Sequence, residues 1–445
     1  MTAAPGRAAL GWAVDDERVR DDAARCGVTS RGWAACALAA VLVVLAVFAA
    51  VTIPWHRPPT PRADQLAALR ELPGDQVARA RAFHSALRPG SYGAMVIGLL
   101  AAVLLGLTPL GARIVSLVGR PFGGNWVAEA VLGGLAVVLV VEIVTLPFAA
   151  WRHTVVVRYG ISTQSWGAWA VDLLKSYAVG AVIGGLALLG FYTVAHFAPR
   201  WWWAIGALGA AGLVVLLSFV LPVLVEPVFN KFTPMADGPL RTELIALAAR
   251  DGVPVRDVLV ADASRRTRAV NAYVSGLGPT RRIVVYDTML TEATPDEVVS
   301  VVAHELGHAK DNDVLTGTIV GALGTAAAVI ALFLLGAWGG LLRLAGVGSI
   351  GEPRGIALLV AVSTLAGLAG GPAQAFVSRR IEARADRHAL VLTGDPATFE
   401  AMQRRLGTVN LSDPDPPTWE YVVSASHPST VERMAAARAY ARGDR

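Results

Sequence analysis

The sequence predicts an all-α, polytopic membrane protein with about seven transmembrane helices and a small α+β segment. Three observations support this class. Of the 445 residues, 54% are hydrophobic and 16% are charged, whereas soluble globular proteins carry about 25% charged residues. The mean hydropathy is +0.51. The apolar residues also form runs of about 20, the length of an α-helix that crosses a bilayer.

The apolar runs set the order of the membrane helices. They lie near residues 33–53, 92–112, 124–148, 177–198, 201–222, 314–342 and 356–376. Trp201, Trp202 and Trp203, between the fourth and fifth runs, are typical of side chains at a membrane interface. The polar leader before the first run is long for a signal peptide, and no convincing cleavage site follows the run. We therefore interpret the first run as a retained span.

The pattern divides the chain into four parts. Residues 1–225 are expected to form an N-terminal membrane region with five transmembrane helices and an arginine-rich helical loop at 54–91. Residues 226–313 have a mixed pattern: a helix near 238–251, a β-rich stretch near 257–287 with a Gly-Pro turn that predicts a hairpin, and a helix from about 295. Residues 314–377 hold two further transmembrane helices. Residues 378–445 form a polar, basic, helical C-terminal segment that is expected to complete the metal site described below.

The composition excludes several classes of function. The net charge of +5 is compatible with nucleic-acid binding, but no DNA- or RNA-binding motif accompanies it, so no nucleic-acid partner is predicted. Arginines that flank membrane spans explain the basic charge, and membrane lipid is the expected surrounding. Cys26 and Cys36 are the only two cysteines, which favours neither a disulfide framework nor a thiolate metal site.

The distribution of arginine and lysine predicts the orientation of the chain. Loop 54–91, the loop with Arg152, Arg158 and Lys175, and the C-terminal tail would lie on one side and hold most of the positive charge. By the positive-inside rule this side, which also holds segment 226–313, is cytoplasmic. The leader, with five arginines and five acidic residues, would lie on the opposite side and is the one observation against this orientation.

Residues 304–308 read His-Glu-Leu-Gly-His. On a helix, His304 and His308 project from the same face and can bind one ion, and Glu305 is placed to act on a water molecule beside it. This spacing is typical of zinc hydrolases, in which the metal acidifies water and the glutamate accepts its proton. The alternative is a pair of helical histidines that form hydrogen bonds with their neighbours.

A catalytic zinc site usually has three protein ligands, so a third is needed. Glu382 is the acidic candidate that follows the last span, and Asp386, four residues on, is placed to hydrogen-bond a ligating imidazole. The alternative is a solvated charged helix beyond the membrane. His388 competes by composition but points to another helical face.

Other polar residues have weaker signals. His427 and Arg433 could stabilise an oxyanion near the metal, although His-Pro in a basic tail is more often the start of a helix. Glu129 and Glu142, in the third span, either line a wet chamber or pair within the helix bundle. The sequence does not distinguish these roles.

An ordered set of motifs surrounds the His-Glu-Leu-Gly-His pentapeptide. Asn271-Ala272-Tyr273 and Gly-Leu-Gly-Pro-Thr-Arg-Arg-Ile-Val-Val-Tyr lead into it, Glu226-Pro227 and Asn230-Lys231-Phe232 precede it, and Glu382-x-x-x-Asp386 and His427-Pro428 follow. With Tyr-Gly-Ile-Ser at 159–162, before Asp172 and Lys175, this set resembles the zinc-dependent CAAX prenyl endopeptidase family over roughly residues 145 to 440. One departure is Ala269-Val270, where family members commonly have His-Ser.

The resemblance implies a barrel of seven transmembrane helices around a chamber, with one Zn²⁺ per chain facing inward. His304, His308 and Glu382 would be the metal ligands, and Glu305 would be the general base. Asn271 would bind the substrate backbone from an edge strand, while His427 and Arg433 would assist the oxyanion or the substrate carboxylate. Edge pairing of an extended peptide is a physical reason for such a strand.

The leading hypothesis is therefore a membrane-integral zinc metalloendopeptidase of a bacterial cell membrane. Its partner is a peptide or protein substrate, with or without a lipid, and the oligomeric state is left open. One alternative is a heat-shock-type quality-control membrane metalloprotease, whose relatives have fewer spans before the metal helix. The other is a non-catalytic membrane scaffold of the same fold, which a missing ligand or an altered Glu305 would favour.

Overall fold

The computed structural model describes residues 9–56, 60–276 and 278–444, with side chains described from Ser30 onward except at Pro279. The first eight residues of the leader and Arg57 lie outside the described residues, as does the side chain of Cys26. Within the described residues, seven helices are long and apolar enough to cross a membrane, as predicted. They are Ser30–Thr52, Gly74–Gly106, Trp126–Arg158, Trp166–Phe197, Trp202–Phe229, Asp313–Leu335 and Pro353–Thr393.

The α-helical elements are numbered in chain order. They are α1 (Ala9–Thr52), α2 (Arg62–Arg70), α3 (Gly74–Gly106), α4 (Pro109–Gly119), α5 (Trp126–Ala128), α6 (Gly134–Arg158), α7 (Trp166–Phe197), α8 (Trp202–Val220), α9 (Glu226–Phe229), α10 (Pro239–Asp251), α11 (Asp287–Glu292), α12 (Pro295–Lys310), α13 (Asp313–Leu335), α14 (Gly339–Ala345), α15 (Ile356–Thr393), α16 (Pro396–Val409), α17 (Thr418–Ser424) and α18 (Thr430–Ala441).

Helices α3 and α15 extend well beyond their apolar runs. Helix α3 has 33 residues and α15 has 38, which at 1.5 Å per residue is about 50 and 57 Å. The hydrocarbon core of a bilayer is only about 30 Å thick, so the polar end of each helix extends beyond it. Much of the predicted loop 54–91 is thus the beginning of α3, and the predicted C-terminal segment begins inside α15.

Segment 226–313 contains a small mixed sheet. Its strands are β1 (Phe232–Pro234), β2 (Asp257–Ala261), β3 (Ala272–Ser275) and β4 (Arg282–Tyr286), in the order β1-β2-β4-β3. Strands β3 and β4 are antiparallel, as the predicted hairpin requires, and β2 and β4 are parallel. Strand β3 therefore lies at an edge of the sheet.

The sheet packs on the metal helix through alternate residues. Ala272, Ile283 and Val285 lie in one buried cluster with Val302 and Leu306 of α12. This follows from the two-residue period of a strand, which directs every second side chain to the same face. The packing places β3 beside the helix that carries His304 and His308.

Contacts at the two ends of the helix bundle define its sides. At one end, Ser30 Oγ donates to Arg200 O at 3.2 Å. At the other end, α2 and α3 contact the C-terminal segment through ion pairs of Arg62 with Asp415, Arg81 with Asp413, Arg88 with Glu420, Arg438 with Glu71 and Arg442 with Asp64. Residues 62–88 and 413–442 therefore lie on the same side.

Candidate active site

Helix α12 carries two of the predicted ligands. Its start is stabilised by a capping box, in which Thr294 Oγ1 accepts from the Glu297 N–H and Glu297 Oε2 accepts from the Thr294 N–H. Such caps contribute about 1 kcal/mol. His304 and His308 lie one turn apart on this helix, and their Nε2 atoms are 3.1 Å apart.

Glu382 of α15 completes the group. One of its carboxylate oxygens lies 3.3 Å from His304 Nε2 and the other lies 3.6 Å from His308 Nε2. Glycine at position 307 permits this approach, because a Cβ there would lie 3.0 Å from His388 Cβ of α15. The close crossing of α12 and α15 thus brings together residues that are 74 positions apart.

These three side chains fit a single metal ion. Their ligand atoms lie within 4.8 Å of one another. Donors bound tetrahedrally to one zinc at about 2.1 Å would be about 3.4 Å apart, close to the observed spacings. Glu382 Oε2 is also buried and accepts no hydrogen bond from any described residue, which is expected of an atom that bonds a metal.

In each histidine, Nε2 faces Glu382 and Nδ1 lies beside a second carboxylate. His304 Nδ1 lies 2.9 Å from Asp386 Oδ1, and His308 Nδ1 lies 2.8 Å from Asp313 Oδ2. Carboxylates in these positions fix the tautomer and the orientation of ligating imidazoles. The spacing on α15 predicts the place of Asp386, whereas the contact of Asp313 with His308 is visible only in the structure.

The chain turn after α12 explains the position of Asp313. Asn312 adopts a left-handed conformation with φ of 55°, which asparagine tolerates better than most residues, and this ends the helix. Helix α13 then begins at Asp313, so the carboxylate returns to the ring of His308. Arg384 of α15 binds the other oxygen of Asp313.

Arg433 contacts a carboxylate that supports the site. Its Nε lies 3.1 and 3.0 Å from the two carboxylate oxygens of Asp386, and its Nη2 lies 3.4 Å from His304 Nδ1. The side chain is 12% exposed and Asp386 is buried, so the two charges are paired largely away from water. The guanidinium is therefore directed at Asp386, while its predicted contact with an oxyanion or a substrate carboxylate remains a prediction.

Glu305 and His427 are placed beside the group. The side chain of Glu305 is partly buried, and this burial raises the pKa of its carboxyl, whereas the neighbouring imidazoles act in the opposite direction. His427 Nε2 lies 3.3 Å from Glu382 Oε1, and its ring is 58% exposed. An exposed imidazole at this position can reach a substrate group.

His388, the competing candidate, lies elsewhere. Its Nε2 is 3.0 Å from Asp251 Oδ2, and Lys310 Nζ is 2.6 Å from Asp251 Oδ1. These contacts join α10, α12 and α15 behind His304, His308 and Glu382, which together are called the metal group. The prediction that His388 points to another helical face is confirmed by this contact.

Two cavities meet at the metal group. One of about 480 Å³ extends along β3 past Val274, and one of about 880 Å³ extends beside Val270 and α16. Both are lined by Asn271, His304, Glu305 and His427. Asn271 is exposed at the start of the edge strand, so an extended chain could lie against β3 with its middle at the metal group.

Comparisons with known proteins cover most of the chain. Residues 234–441 match the family model of peptidase family M48, and residues 87–231 match the model described as the CAAX prenyl protease N-terminal region with five membrane helices. An uncharacterised metalloprotease of Bacillus subtilis, YhfN, is 29% identical over 301 residues, which cover 66% of this chain and 70% of that protein.

One further relative and one solved structure of similar fold come from yeasts. CAAX prenyl protease 1 of Saccharomyces cerevisiae is 34% identical over 187 residues, which cover 41% of each chain. The crystal structure of S. mikatae Ste24p has a TM-score of 0.72 to this chain, with 22% identity, over 92% of this chain and 98% of that one. This structural similarity confirms the predicted fold of a polytopic membrane protein with a small α+β segment.

Proposed function

This chain belongs to peptidase family M48 and is an integral membrane metalloendopeptidase, and we propose that His304, His308 and Glu382 hold one zinc ion as its catalytic metal. The spacing of the three ligand atoms is the observation that carries this proposal. Two imidazoles and one carboxylate are a ligand set that catalytic zinc uses in hydrolases. Bound there, zinc would acidify a water molecule and polarise the carbonyl of the scissile peptide bond.

The protein side chains have separate roles in this proposal. Glu305 accepts a proton from the attacking water and delivers it to the leaving amine, and burial raises the pKa of its carboxyl, which makes the carboxylate a stronger base. His427, the exposed imidazole, donates a hydrogen bond to the oxyanion. Asp386 and Asp313 orient the two ligating rings, and Arg433 holds Asp386 in place.

Strand β3 binds the substrate backbone. It is an edge strand, so one row of its N–H and C=O groups is free to pair with an extended peptide. Asn271, at the start of the strand, contacts the peptide next to the scissile bond. The two cavities that meet here receive the two halves of the substrate chain.

The substrate is the C-terminal segment of a peptide or a membrane protein, with or without a prenyl group. The CAAX prenyl proteases among the relatives support this class. A heat-shock-type quality-control protease is less well supported, because residues 87–231 match the five-helix N-terminal model. A scaffold is disfavoured because Glu305 and the three proposed ligands are all in place.

The site lies on the cytoplasmic side of a bacterial cell membrane in this proposal. The ion pairs place the arginine-rich residues 62–88 on the same side as residues 413–442, which flank His427. The positive-inside rule assigns such a side to the cytoplasm.

The test is cleavage of a C-terminally labelled peptide by the purified protein, with and without a chelator. We expect the chelator to abolish cleavage and zinc to restore it, and we expect Glu305→Gln to lower kcat by about 10²–10⁴-fold, the contribution of a general base. Asp296→Asn, an exposed acid on the same helix, is the matched control. Equal rates for the wild type and Glu305→Gln would contradict the mechanism.

Two further measurements separate the remaining parts. Bound zinc in His304→Ala and Glu382→Ala, measured by elemental analysis, should fall well below that of the wild type, and full zinc in either variant would exclude that residue as a ligand. In sealed vesicles, an added peptide should be cleaved by inside-out and not by right-side-out preparations. The reverse result would place the site outside.

A further inference from the structure

Asn410, at the end of α16, pairs with the backbone of a residue that precedes the edge strand. Its Oδ1 accepts from the Val270 N–H at 2.9 Å, and its Nδ2 donates to the Val270 C=O at 3.1 Å. The side-chain amide thus makes the two hydrogen bonds that a neighbouring strand would make. Positions 270 and 410 are 140 residues apart in the chain.

Asn410 makes these two bonds on the side of the chain that faces away from β4. Tyr286 N donates to Asn271 O at 3.0 Å, and Thr288 Oγ1 donates to Ala269 O at 2.7 Å, so both of these carbonyls face the β4 side. Successive residues of an extended chain direct their backbone groups to opposite sides. The backbone groups of Val270 therefore face away from β4, in the same direction as those of Ala272 and Val274.

The edge that faces the substrate is thus closed at one end. Ala272 and Val274 present outward N–H and C=O groups, whereas those of Val270 are already bound by Asn410. We propose that Asn410 is a specificity-determining residue that ends the peptide-binding edge at Val270. This proposal rests on the proposed endopeptidase function. Asn410 limits how many substrate residues pair with the strand on the side of the larger cavity.

The surroundings leave room for a substrate that continues past this point. Val270, Asn271 and Asn410 line the same cavity of about 880 Å³, together with His304 and Glu305. Substrate residues beyond the pair with Ala272 enter this space without backbone pairing. Recognition there depends on side chains, chain ends or attached groups, which suits an enzyme that acts near the end of a chain.

The experiment is an ester-for-amide scan of a peptide substrate with the full-length protein in detergent. An ester removes one N–H donor from the substrate. At the substrate residue opposite Ala272 it should lower kcat/KM of the wild type by about five-fold, the value of one net hydrogen bond. At the residue two positions on, opposite Val270, the ester should leave kcat/KM unchanged.

Variants test whether Asn410 causes this pattern. In Asn410→Ala the outward N–H and C=O groups of Val270 are free. The ester opposite Val270 should then lower kcat/KM as much as the ester opposite Ala272. Peptides long enough to reach Val270 should also have a higher kcat/KM than shorter ones. Asn410→Asp keeps the acceptor for the Val270 N–H and serves as a variant with a smaller disturbance. Thr408→Ala, which removes a contact with Gln76 near the same helix end, is the matched control.

Each outcome has a distinct meaning. If Asn410 only supports the fold, Asn410→Ala lowers kcat/KM equally for all peptides and leaves the ester pattern unchanged, which would overturn the proposal. The proposal is also overturned if the wild type already loses activity with the second ester. Failure of the endopeptidase function itself would be visible separately, as an absence of chelator-sensitive cleavage by the wild type.

Discussion

The carboxylate of Asp313 shows how a single residue can shape the proposed metal site without being one of its proposed ligands. It lies 2.8 Å from the outer ring nitrogen of His308 and is itself held by Arg384. Asp386 and Arg433 form the same arrangement on His304. Both imidazoles are thus oriented by a carboxylate that an arginine holds, so side chains of the protein fix the orientation of both rings.

We expect Asp313→Asn to weaken zinc binding by about 10- to 100-fold, as is typical when the partner of a ligating histidine is altered. The amide keeps the size of the side chain but removes its charge and weakens its hold on the His308 ring. Competition with a zinc chelator measures the affinity. Asp311→Asn, which alters the adjacent ion pair with Arg384, is the control, and equal affinities in the two variants would show that Asp313 has no special role.

At the scale of elements, the edge position of β3 is the feature that links the fold to the proposed peptide binding. By alternation, the N–H of Val274 points outward and that of Tyr273 points to β4. Proline lacks an N–H but is tolerated where the donor of an edge strand faces solvent. A proline at 274 therefore removes one proposed contact with the substrate while leaving the sheet paired.

We expect Val274→Pro to lower kcat/KM by about five-fold or more, since one net backbone hydrogen bond contributes about 1 kcal/mol. The control is Val274→Ala, which loses the same packing against the core but keeps the N–H. Both rates are measured on the same peptide, and unfolding is followed in parallel. If the two variants have the same kcat/KM, the strand does not bind the substrate through Val274.

At the scale of the whole molecule, the N-terminal helices hold the C-terminal part of the site. Arg88 Nε of α3 lies 2.6 Å from Glu420 of α17, and Tyr92 donates to the same carboxylate at 2.8 Å. Helix α17 ends at Ser424, three residues before His427. The first and last parts of the chain are therefore joined next to the site.

This junction predicts a pH dependence. The hydrogen-bonded ion pair with Arg88 holds the pKa of Glu420 below its ordinary value, with a smaller effect from Tyr92. Its stabilising contribution is complete above the ordinary glutamate pKa of about 4.3 and is lost as the pH falls through the lower value of the folded protein. Glu420→Gln should lower the unfolding midpoint at pH 7 by roughly 2 °C, as for a partly buried ion pair.

Thermal unfolding in detergent between pH 3 and 7 measures this effect. The difference between the wild type and Glu420→Gln should be constant at neutral pH and should vanish at the acidic end. Glu243→Gln, at an exposed position, controls for the loss of one negative charge. A difference that persists unchanged at the acidic end would show that Glu420 acts through packing and not through its charge.

The sequence by itself determined the seven spans, the hairpin and the placement of His304 and His308 on one helical face, because these depend on short-range patterns. Hydrophobic runs need only the length of a bilayer crossing, and His304 and His308 need only the i, i+4 spacing of one helix. Spacing alone leaves Glu382 open between a ligand and a solvated charge, because its approach to the histidines requires the crossing of α12 and α15 at Gly307.

Only the tertiary structure decided the contacts between distant segments. Asp313 reaches His308 because the chain reverses at Asn312, and Asn410 reaches Val270 across 140 positions. Arg88 and Glu420 are 332 positions apart. Hydrogen bonds of this kind depend on the relative placement of packed elements, which no local pattern encodes, whereas a helix or a strand is encoded by the period of its own residues.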